Sequence, residues 1–225
     1  MLDNKGFDQW ADGYDEGVAR SDAENRYPFA GYQRVQDRIC AVAAQKPGAV
    51  VLDVGFGTAA LTSRLYESGC EIWGQDFSEE MLRLAAEKMP EARLFLGDVY
   101  EGLATALKEQ HYDLIIATYF LHHFSDEHKV RLVEELLALL AEDGELLIGD
   151  VAFWDRPALE ACRRAAGEEW DDEEIYFVFD ELKRDFPALR FEKLSPCAGL
   201  LRLKKGLRGK SNTAHGESNG RSGGN

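Results

Sequence analysis

The feature that most constrains the fold is a short apolar run that ends in two closely spaced glycines. Residues 49–54 (AVVLDV) are almost all apolar, which is typical of a buried parallel strand. Gly55 and Gly57 allow backbone conformations and close approaches that a β-carbon would block. The segment 58–68 that follows is predicted to be a helix. Its free N–H groups and positive dipole end would point into the crevice beyond the strand.

Strand-like and helix-like segments alternate along the rest of the chain. Ser78 and Ser125 each precede a helical pattern and are predicted to cap it. Alternation of this kind indicates βαβ units with helices on both faces of a parallel sheet. The further predicted strands are 70–75, 93–96, 112–118 and 145–151, and the predicted helices are 31–45, 78–90, 125–140 and 179–186.

The end of the chain departs from this alternation. Segments 189–194 and 199–203 have the pattern of strands, and only Ser195-Pro196-Cys197-Ala198 separates them. Because this connection is too short for a crossover helix, the two strands should pair antiparallel. The predicted fold is therefore α/β and Rossmann-like, a doubly wound, mostly parallel seven-stranded sheet with an antiparallel C-terminal hairpin.

Composition narrows the partners. The 225 residues carry a net charge of -15, which disfavours nucleic acid and anionic membranes and favours a small-molecule substrate. The four cysteines stand singly, without metal-binding spacing, so we expect reduced thiols in a cytoplasmic protein and no metal. We expect no signal peptide and no membrane span. Residues 1–205 are predicted to form one domain and the glycine-rich 206–225 a disordered tail; the oligomeric state is not predicted.

The glycine turn alone fits two classes of cofactor. Its spacing, Gly55-x-Gly57-x-x-Ala60, also matches the dinucleotide-binding fingerprint. Three carboxylates help to distinguish the two classes of cofactor. Asp53, Asp76 and Asp98 each stand at the carboxyl end of a predicted strand. These ends share one edge of the sheet, where ligands of open α/β folds bind. Three acids suit a cationic ligand, whereas Asp53 would repel a pyrophosphate.

At this point the chain resembles a known family, the class I S-adenosylmethionine-dependent methyltransferases, and in particular its small bacterial members. The resemblance covers about residues 7–205. Its combination of motifs is specific, although no motif is so alone. The matching motifs are FDQWADGYDEGV (7–18), VLDVGFGTAALT (51–62), EIWGQDFSEEML (71–82), LFLGDV (94–99) and YDLIIATYFLHHF (112–124).

The resemblance implies a site for S-adenosylmethionine and a role for each matching position. The turn from Asp53 to Gly57, including Gly55, would hold the methionine part, with Asp53 near its ammonium group. Asp76 would bind the ribose hydroxyls, and Phe77 would lie against the adenine. The remaining implied contacts are Asp98 and the Val99 N–H at the adenine edge, and Thr118 and Tyr119 near the sulfonium. The family usually has a third glycine where this chain has Ala59, whose methyl group would narrow the entrance to the helix.

Two further groups have open interpretations. His122 and His123 follow the fourth strand, and one of them, with His123 as our candidate, could take a proton from the acceptor; the alternative is packing or capping. We expect adjacent histidines to point apart and their spacing to bind no metal. Trp10 and Tyr14 could form a lid over the sulfonium or pack in the core. The acidic run 171–174 is expected to be a solvated loop or helix start.

The predicted function is methyl transfer from S-adenosylmethionine to N, O or S of a small molecule. Such a displacement depends chiefly on the positions of the reacting atoms, so the sequence does not identify the acceptor. Two alternatives come from other classes of protein: an NAD-dependent oxidoreductase, and a non-catalytic protein that keeps the fold and the cofactor pocket.

Overall fold

The computed structural model of the protein describes residues 17–205. The helices are α1 (17–23), α2 (Tyr32–Ala43), α3 (Ala60–Glu67), α4 (Glu79–Lys88), α5 (Thr105–Lys108), α6 (Asp126–Leu139), α7 (Arg156–Ala166) and α8 (Phe179–Asp185). The strands are β1 (Val50–Val54), β2 (Glu71–Asp76), β3 (Arg93–Leu96), β4 (Tyr112–Thr118), β5 (Leu140–Phe153), β6 (Phe177–Val178), β7 (Arg190–Lys193) and β8 (Ala198–Lys204). Single 3₁₀ turns occupy Leu121–His123 and Gly167–Glu169.

One mixed sheet organises the molecule. Its strand order is β3-β2-β1-β4-β5-β8-β7. Strands β1 to β5 run parallel, and β8 is antiparallel to both β5 and β7. The predicted α/β class and the antiparallel C-terminal hairpin are therefore confirmed. An eighth strand, β6, pairs with the end of β5 outside this order; it was not predicted because it is only two residues long.

Both faces of the sheet are covered, and successive residues of the central strands pack into opposite layers. In β1, Val51 belongs to the layer beside α2 and α3, and Leu52 to the layer beside α6 and α8. In β4, Ile116 and Ile115 divide in the same way. Because side chains alternate across a sheet, a strand that is buried on both faces needs continuous apolar sequence, as the AVVLDV run shows.

The helix starts follow the predicted caps. The Ser78 hydroxyl accepts the Met81 N–H at 3.2 Å, and the Ser125 hydroxyl accepts the His128 N–H at 3.3 Å. Each is an N-cap bond that satisfies a backbone donor left free in the first turn. Helix α3 begins at Ala60, two residues later than predicted.

Asp143 and Gly144 lie inside one long strand, β5. The pairing of β4 with β5 shifts in register between Tyr112 and Leu114, whose partners are Leu140 and Glu145. A β-carbon on Gly144 would lie 2.8 Å from the Tyr112 carbonyl oxygen, so only glycine fits this irregularity. Strand β5 therefore starts before the predicted residue 145.

The sheet opens a crevice at one place. Connections from β1 lead outward to β2 and β3 on one side, whereas β4 and β5 lie on the other. The reversal falls between β1 and β4, and open α/β sheets bind ligands beyond the carboxyl ends of the strands at such a point. Among residues 17–205, no helix has the length and apolar character needed to cross a membrane.

Candidate active site

The glycine turn after β1 forms one wall of the crevice. Gly55 has φ +75°, and a β-carbon there would lie 2.9 Å from the Phe120 ring. Gly57 has φ +53°, and no atom lies within 4 Å of the place that its β-carbon would take. Glycine is required at Gly55 by conformation and by contact, and the backbone at Gly57 is open to a ligand.

Asp53 is a buried carboxylate beneath this turn. The residue is 1% exposed, and its Oδ2 accepts a hydrogen bond from the Thr62 hydroxyl of α3. Its Oδ1 is buried without a hydrogen-bond partner among the described residues. Burial raises the pKa of Asp53 to about 7, the Thr62 hydrogen bond opposes this rise, and the charge of Asp76 adds to it. The site thus contains a buried acid with one oxygen that no residue of 17–205 hydrogen-bonds.

Asp76, at the end of β2, ties the turn to the sheet. Its Oδ2 accepts the Gly57 N–H at 2.8 Å, and its Oδ1 accepts the Ser78 N–H at 3.0 Å. Burial raises the pKa of Asp76, although the N–H groups of Ser78, Gly57 and Phe77 lower it. Because Gly57 and Ala59 both have positive φ, the chain between Gly57 and Ala60 is a turn rather than the first residues of α3.

The other predicted cofactor contacts lie along the same edge. Phe77 is half-buried and Asp98 is exposed, and the Asp98 Oδ1 accepts the Tyr100 N–H at 2.8 Å. Val99 is 6% exposed, and Thr118 is half-buried at the end of β4. The structure therefore brings the predicted residues of β1 to β4 to one edge of the sheet. Trp10 and Tyr14 lie outside residues 17–205.

Tyr119 follows β4 in an unusual conformation. It has φ +52°, is 7% exposed, and its hydroxyl has no hydrogen-bond partner within the described part of the chain. Burial, and after it the charge of Asp150, raise the pKa of Tyr119 well above its usual value. A positive φ on a bulky residue is strained and often marks a functional position. The hydroxyl is thus neutral and available to a bound molecule.

A cluster of two histidines and two carboxylates stands beside Tyr119; we call His122, His123, Asp150 and Glu174 the histidine cluster. The His122 Nδ1 lies 2.6 Å from the Asp150 Oδ1, and the His123 Nδ1 lies 2.9 Å from the Glu174 Oε1. Burial lowers the pKa of His122, but the charge of Asp150 and the bond to it raise the pKa above its ordinary value.

The two histidines do not point apart as expected. Their ring centroids are 4.3 Å apart, because they belong to the 3₁₀ turn Leu121–His123. Successive residues of such a turn are offset by about 120°, rather than by the half-turn of a strand. Glu174, the last acid of the run 171–174, also departs from expectation: its side chain is 17% exposed and contacts His123.

The sequence analysis missed three residues of this site. Thr62 lay inside a quoted motif, and its place near the start of the predicted helix was the only signal that it faces β1. Asp150 ends an apolar strand pattern, as Asp53 and Asp76 do, and the same criterion could have found it. Glu174 carried a weaker signal, since it directly precedes the apolar run 175–179.

Ala59 supplies a first prediction. It has φ +57° and ψ 28°, and it is fully buried. The left-handed conformation costs an L-residue about 1–2 kcal/mol, whereas loss of a buried methyl group costs about 0.8 kcal/mol. Ala59→Gly should therefore leave the free energy of unfolding within about 1 kcal/mol of the parent and bind the cofactor equally well or more tightly, as calorimetry and denaturation can measure.

The matched control is the next residue. Ala60 is the first residue of α3, so Ala60→Gly should cost up to about 1 kcal/mol of helix stability. If Ala59→Gly proves as destabilising as Ala60→Gly, the alanine fits its turn without strain and the prediction is wrong.

Comparison with known proteins agrees with this geometry, which is that of a ligand-binding α/β protein with its site at a reversal of strand order. Residues 51–144 match the family model described as a methyltransferase domain. An uncharacterized methyltransferase of Geobacillus sp. (strain WCH70) is 33% identical over 180 residues, which cover 80% of each chain. The chain therefore belongs to the class I methyltransferase family, as its motifs predicted.

Solved structures show the same fold at low identity. Magnesium protoporphyrin IX methyltransferase from Synechocystis PCC 6803, with bound S-adenosylhomocysteine, has a TM-score of 0.62 and 19% identity, covering 79% of this chain and 84% of its own. The N-methyltransferase NodS from Bradyrhizobium japonicum WM9, also a complex with S-adenosylhomocysteine, has a TM-score of 0.59 and 14% identity, covering 85% and 97%. These likenesses establish the architecture.

Proposed function

We propose that this methyltransferase transfers the methyl group of S-adenosylmethionine to N, O or S of a small-molecule acceptor. The observation that carries the choice of cofactor is the pair of buried carboxylates, Asp53 and Asp76, on either side of the glycine turn. One oxygen of Asp53 has no partner among residues 17–205. Buried negative charge of this kind favours a ligand with ammonium and sulfonium groups and repels a pyrophosphate.

The residues present fit that cofactor. In the proposal, the Asp53 Oδ1, which has no hydrogen-bond partner among residues 17–205, attracts the ammonium group. The turn from Gly55 to the open backbone of Gly57 receives the methionine part. Asp76 accepts from the ribose hydroxyls with the lone pairs that Gly57 and Ser78 leave free. The remaining proposed contacts are Phe77, Asp98 and Val99 around the adenine, and Thr118 and Tyr119 beside the sulfonium.

Catalysis in this proposal rests mainly on position. The cofactor supplies an electrophilic methyl group. The chain holds the acceptor in line with it, and alignment of the reacting atoms supplies much of the rate. The neutral Tyr119 hydroxyl is available to orient the acceptor, and the acceptor's proton leaves toward the histidine cluster. His123, our candidate base, has the Glu174 carboxylate 2.9 Å away to stabilise the charge that it would gain.

The segment before α1 is proposed to act as a lid that carries Trp10 and Tyr14. In support, α1 borders an open depression of about 760 Å³ that is also lined by Ala60, the first residue of α3. Helix α1 is thus close to the start of α3. The net charge of -15 and the four free cysteines support a small-molecule enzyme of the cytoplasm.

An activity screen tests the proposal. The protein is incubated with a methyl-labelled donor and, separately, with the small-molecule fractions and the macromolecular fraction of a cell extract, and label in each fraction is counted. We expect label to enter a small molecule at a rate proportional to enzyme concentration, and Asp76→Ala to remove most of it. Tight donor binding with no transfer to any fraction would favour the non-catalytic alternative. Transfer only into protein or nucleic acid would overturn the acceptor class.

A further inference from the structure

The histidine cluster brings three possible metal ligands together. One nitrogen each of His122 and His123 and a carboxylate oxygen of Glu174 all lie within 4.8 Å of one another. Glu174 lies close to both rings: its Oε1 is 2.9 Å from the His123 Nδ1, and its Oε2 is 4.0 Å from the His122 Nε2. The histidines come from the turn after β4, whereas Glu174 comes from the segment between α7 and β6.

Hydrogen bonds of the backbone hold the two segments of the cluster together. The Ile175 N–H donates to the His122 carbonyl at 2.8 Å, and the ammonium group of the buried Lys129 donates to the Ile175 carbonyl. The side chains of His122 and Glu174 are 13% and 17% exposed. The Glu174 Oε2 is buried without a hydrogen-bond partner among residues 17–205. Such an oxygen is costly to bury, and a bound cation would satisfy it.

Asp150 determines which ring nitrogen of His122 carries the proton and which one can bind a metal. Its carboxylate is 1% exposed and lies 2.6 Å from the His122 Nδ1. An ionised carboxylate is only an acceptor, so Nδ1 carries the proton and the Nε2 lone pair points to the Glu174 side. A carboxylate behind a histidine in this way is the usual outer-shell arrangement of histidine metal ligands.

The local charge also favours a cation. The cluster contains two carboxylates, those of Asp150 and Glu174. Among residues 17–205, the ammonium group beside them is that of Lys129, and the exposed Asp126 lies 3.1 Å from it. Three carboxylates thus face one ammonium group.

We propose that His122, His123 and Glu174 bind one divalent metal ion of the zinc class. Two imidazoles and one carboxylate form a donor set of catalytic zinc sites, which leave a coordination position open. The open position would face the crevice, where it could polarise the acceptor heteroatom. This replaces the expectation that no metal binds: histidine spacing could not reveal a ligand beyond α7. A nitrogen of His123 that binds the metal cannot also accept a proton, so His123 cannot be ligand and base through the same atom.

Metal titration of the full chain tests the site. The protein is stripped with a chelator and titrated with Zn²⁺ by calorimetry and with Co²⁺ by visible absorption. We expect one ion per chain. Loss of a direct ligand in Glu174→Gln or His122→Ala should weaken binding by more than the roughly 10–100-fold typical of outer-shell changes, and Asp150→Asn should fall within that range. The matched control is His128→Ala: His128 stacks on Tyr100 with ring centroids 4.2 Å apart and should leave binding unchanged.

Three results would overturn the proposal. The first is a folded Glu174→Gln or His123→Ala protein that binds the metal as tightly as the parent; these milder variants keep the test decisive if His122→Ala does not fold. The second is a sulfur-to-cobalt charge-transfer band, which would place the ion on the free cysteines. The third is the absence of stoichiometric binding. Since the titration contains neither methyl donor nor acceptor, its failure would leave the methyl-transfer proposal standing.

Discussion

Asp76→Ala is expected to weaken S-adenosylhomocysteine binding by at least about 100-fold, because two losses combine. A hydrogen bond to a charged acceptor contributes about 1.5–3 kcal/mol, and the ribose hydroxyls would lose theirs. The Gly57 and Ser78 N–H groups would also lose the carboxylate that accepts them. Each buried donor left without a partner costs about 1–3 kcal/mol, so the free energy of unfolding should fall as well. Calorimetry and denaturant titration measure the two effects.

Asp98→Ala is the matched control for that prediction. Asp98 is exposed and accepts one backbone N–H, from Tyr100, at 2.8 Å. Its removal should weaken binding by about tenfold, the equivalent of one hydrogen bond, and should barely change stability. If folded Asp76→Ala keeps the parent dissociation constant, the ribose binds elsewhere and the site assignment is wrong.

The stability of the unliganded protein should fall as pH rises toward 7, and Asp53 should cause a large part of this fall. Burial raises the pKa of Asp53 to about 7 from 3.8, so between these values the folded state binds a proton that the unfolded state has lost. Stability from the protonated carboxyl is present below about pH 4 and is lost as pH rises through the folded pKa. At about 1.4 kcal/mol per pKa unit, the difference amounts to about 4 kcal/mol.

The measurement compares denaturant unfolding of the parent and Asp53→Asn from pH 4 to pH 8. The amide cannot ionise, so its slope with pH should be flatter by the amount stated. In the same account an ammonium group beside Asp53 favours the charged carboxylate. Binding of S-adenosylhomocysteine at pH 6 should therefore release protons, which calorimetry in buffers of different ionisation enthalpy detects. Parallel slopes for the two proteins would show that Asp53 is ionised in the unliganded fold.

Much of the fold follows from local patterns. Strand β4 was predicted at its observed bounds, Tyr112–Thr118, because a strand buried on both faces is apolar throughout. Local sequence also predicted the caps at Ser78 and Ser125 and the short link before β8. Helix α7 and strand β6 were missed. The helix buries only Leu159 fully, so its apolar pattern is weak, and the strand is held by pairing with β5 rather than by its own sequence.

The candidate site likewise has residues that local sequence predicts and residues that it does not. Asp53, Asp76 and Asp98 follow strands, so the register of a parallel sheet brings them together at one edge. The histidine cluster could not be assembled from sequence, since its carboxylates come from β5 and from the segment beyond α7. A glycine at position 59 would carry no helix-propensity cost, because Ala59 lies before α3 in a left-handed conformation. Contacts between distant segments decide such features, and local sequence does not encode them.

The central claim is that two buried carboxylates beside the glycine turn select a sulfonium cofactor rather than a dinucleotide. Isothermal titration of the full chain with S-adenosylhomocysteine and, separately, with NADH tests it most directly. We expect saturable binding of S-adenosylhomocysteine, strongly reduced in Asp76→Ala, and no binding of NADH. Tight binding of NADH with no response to S-adenosylhomocysteine would contradict the account.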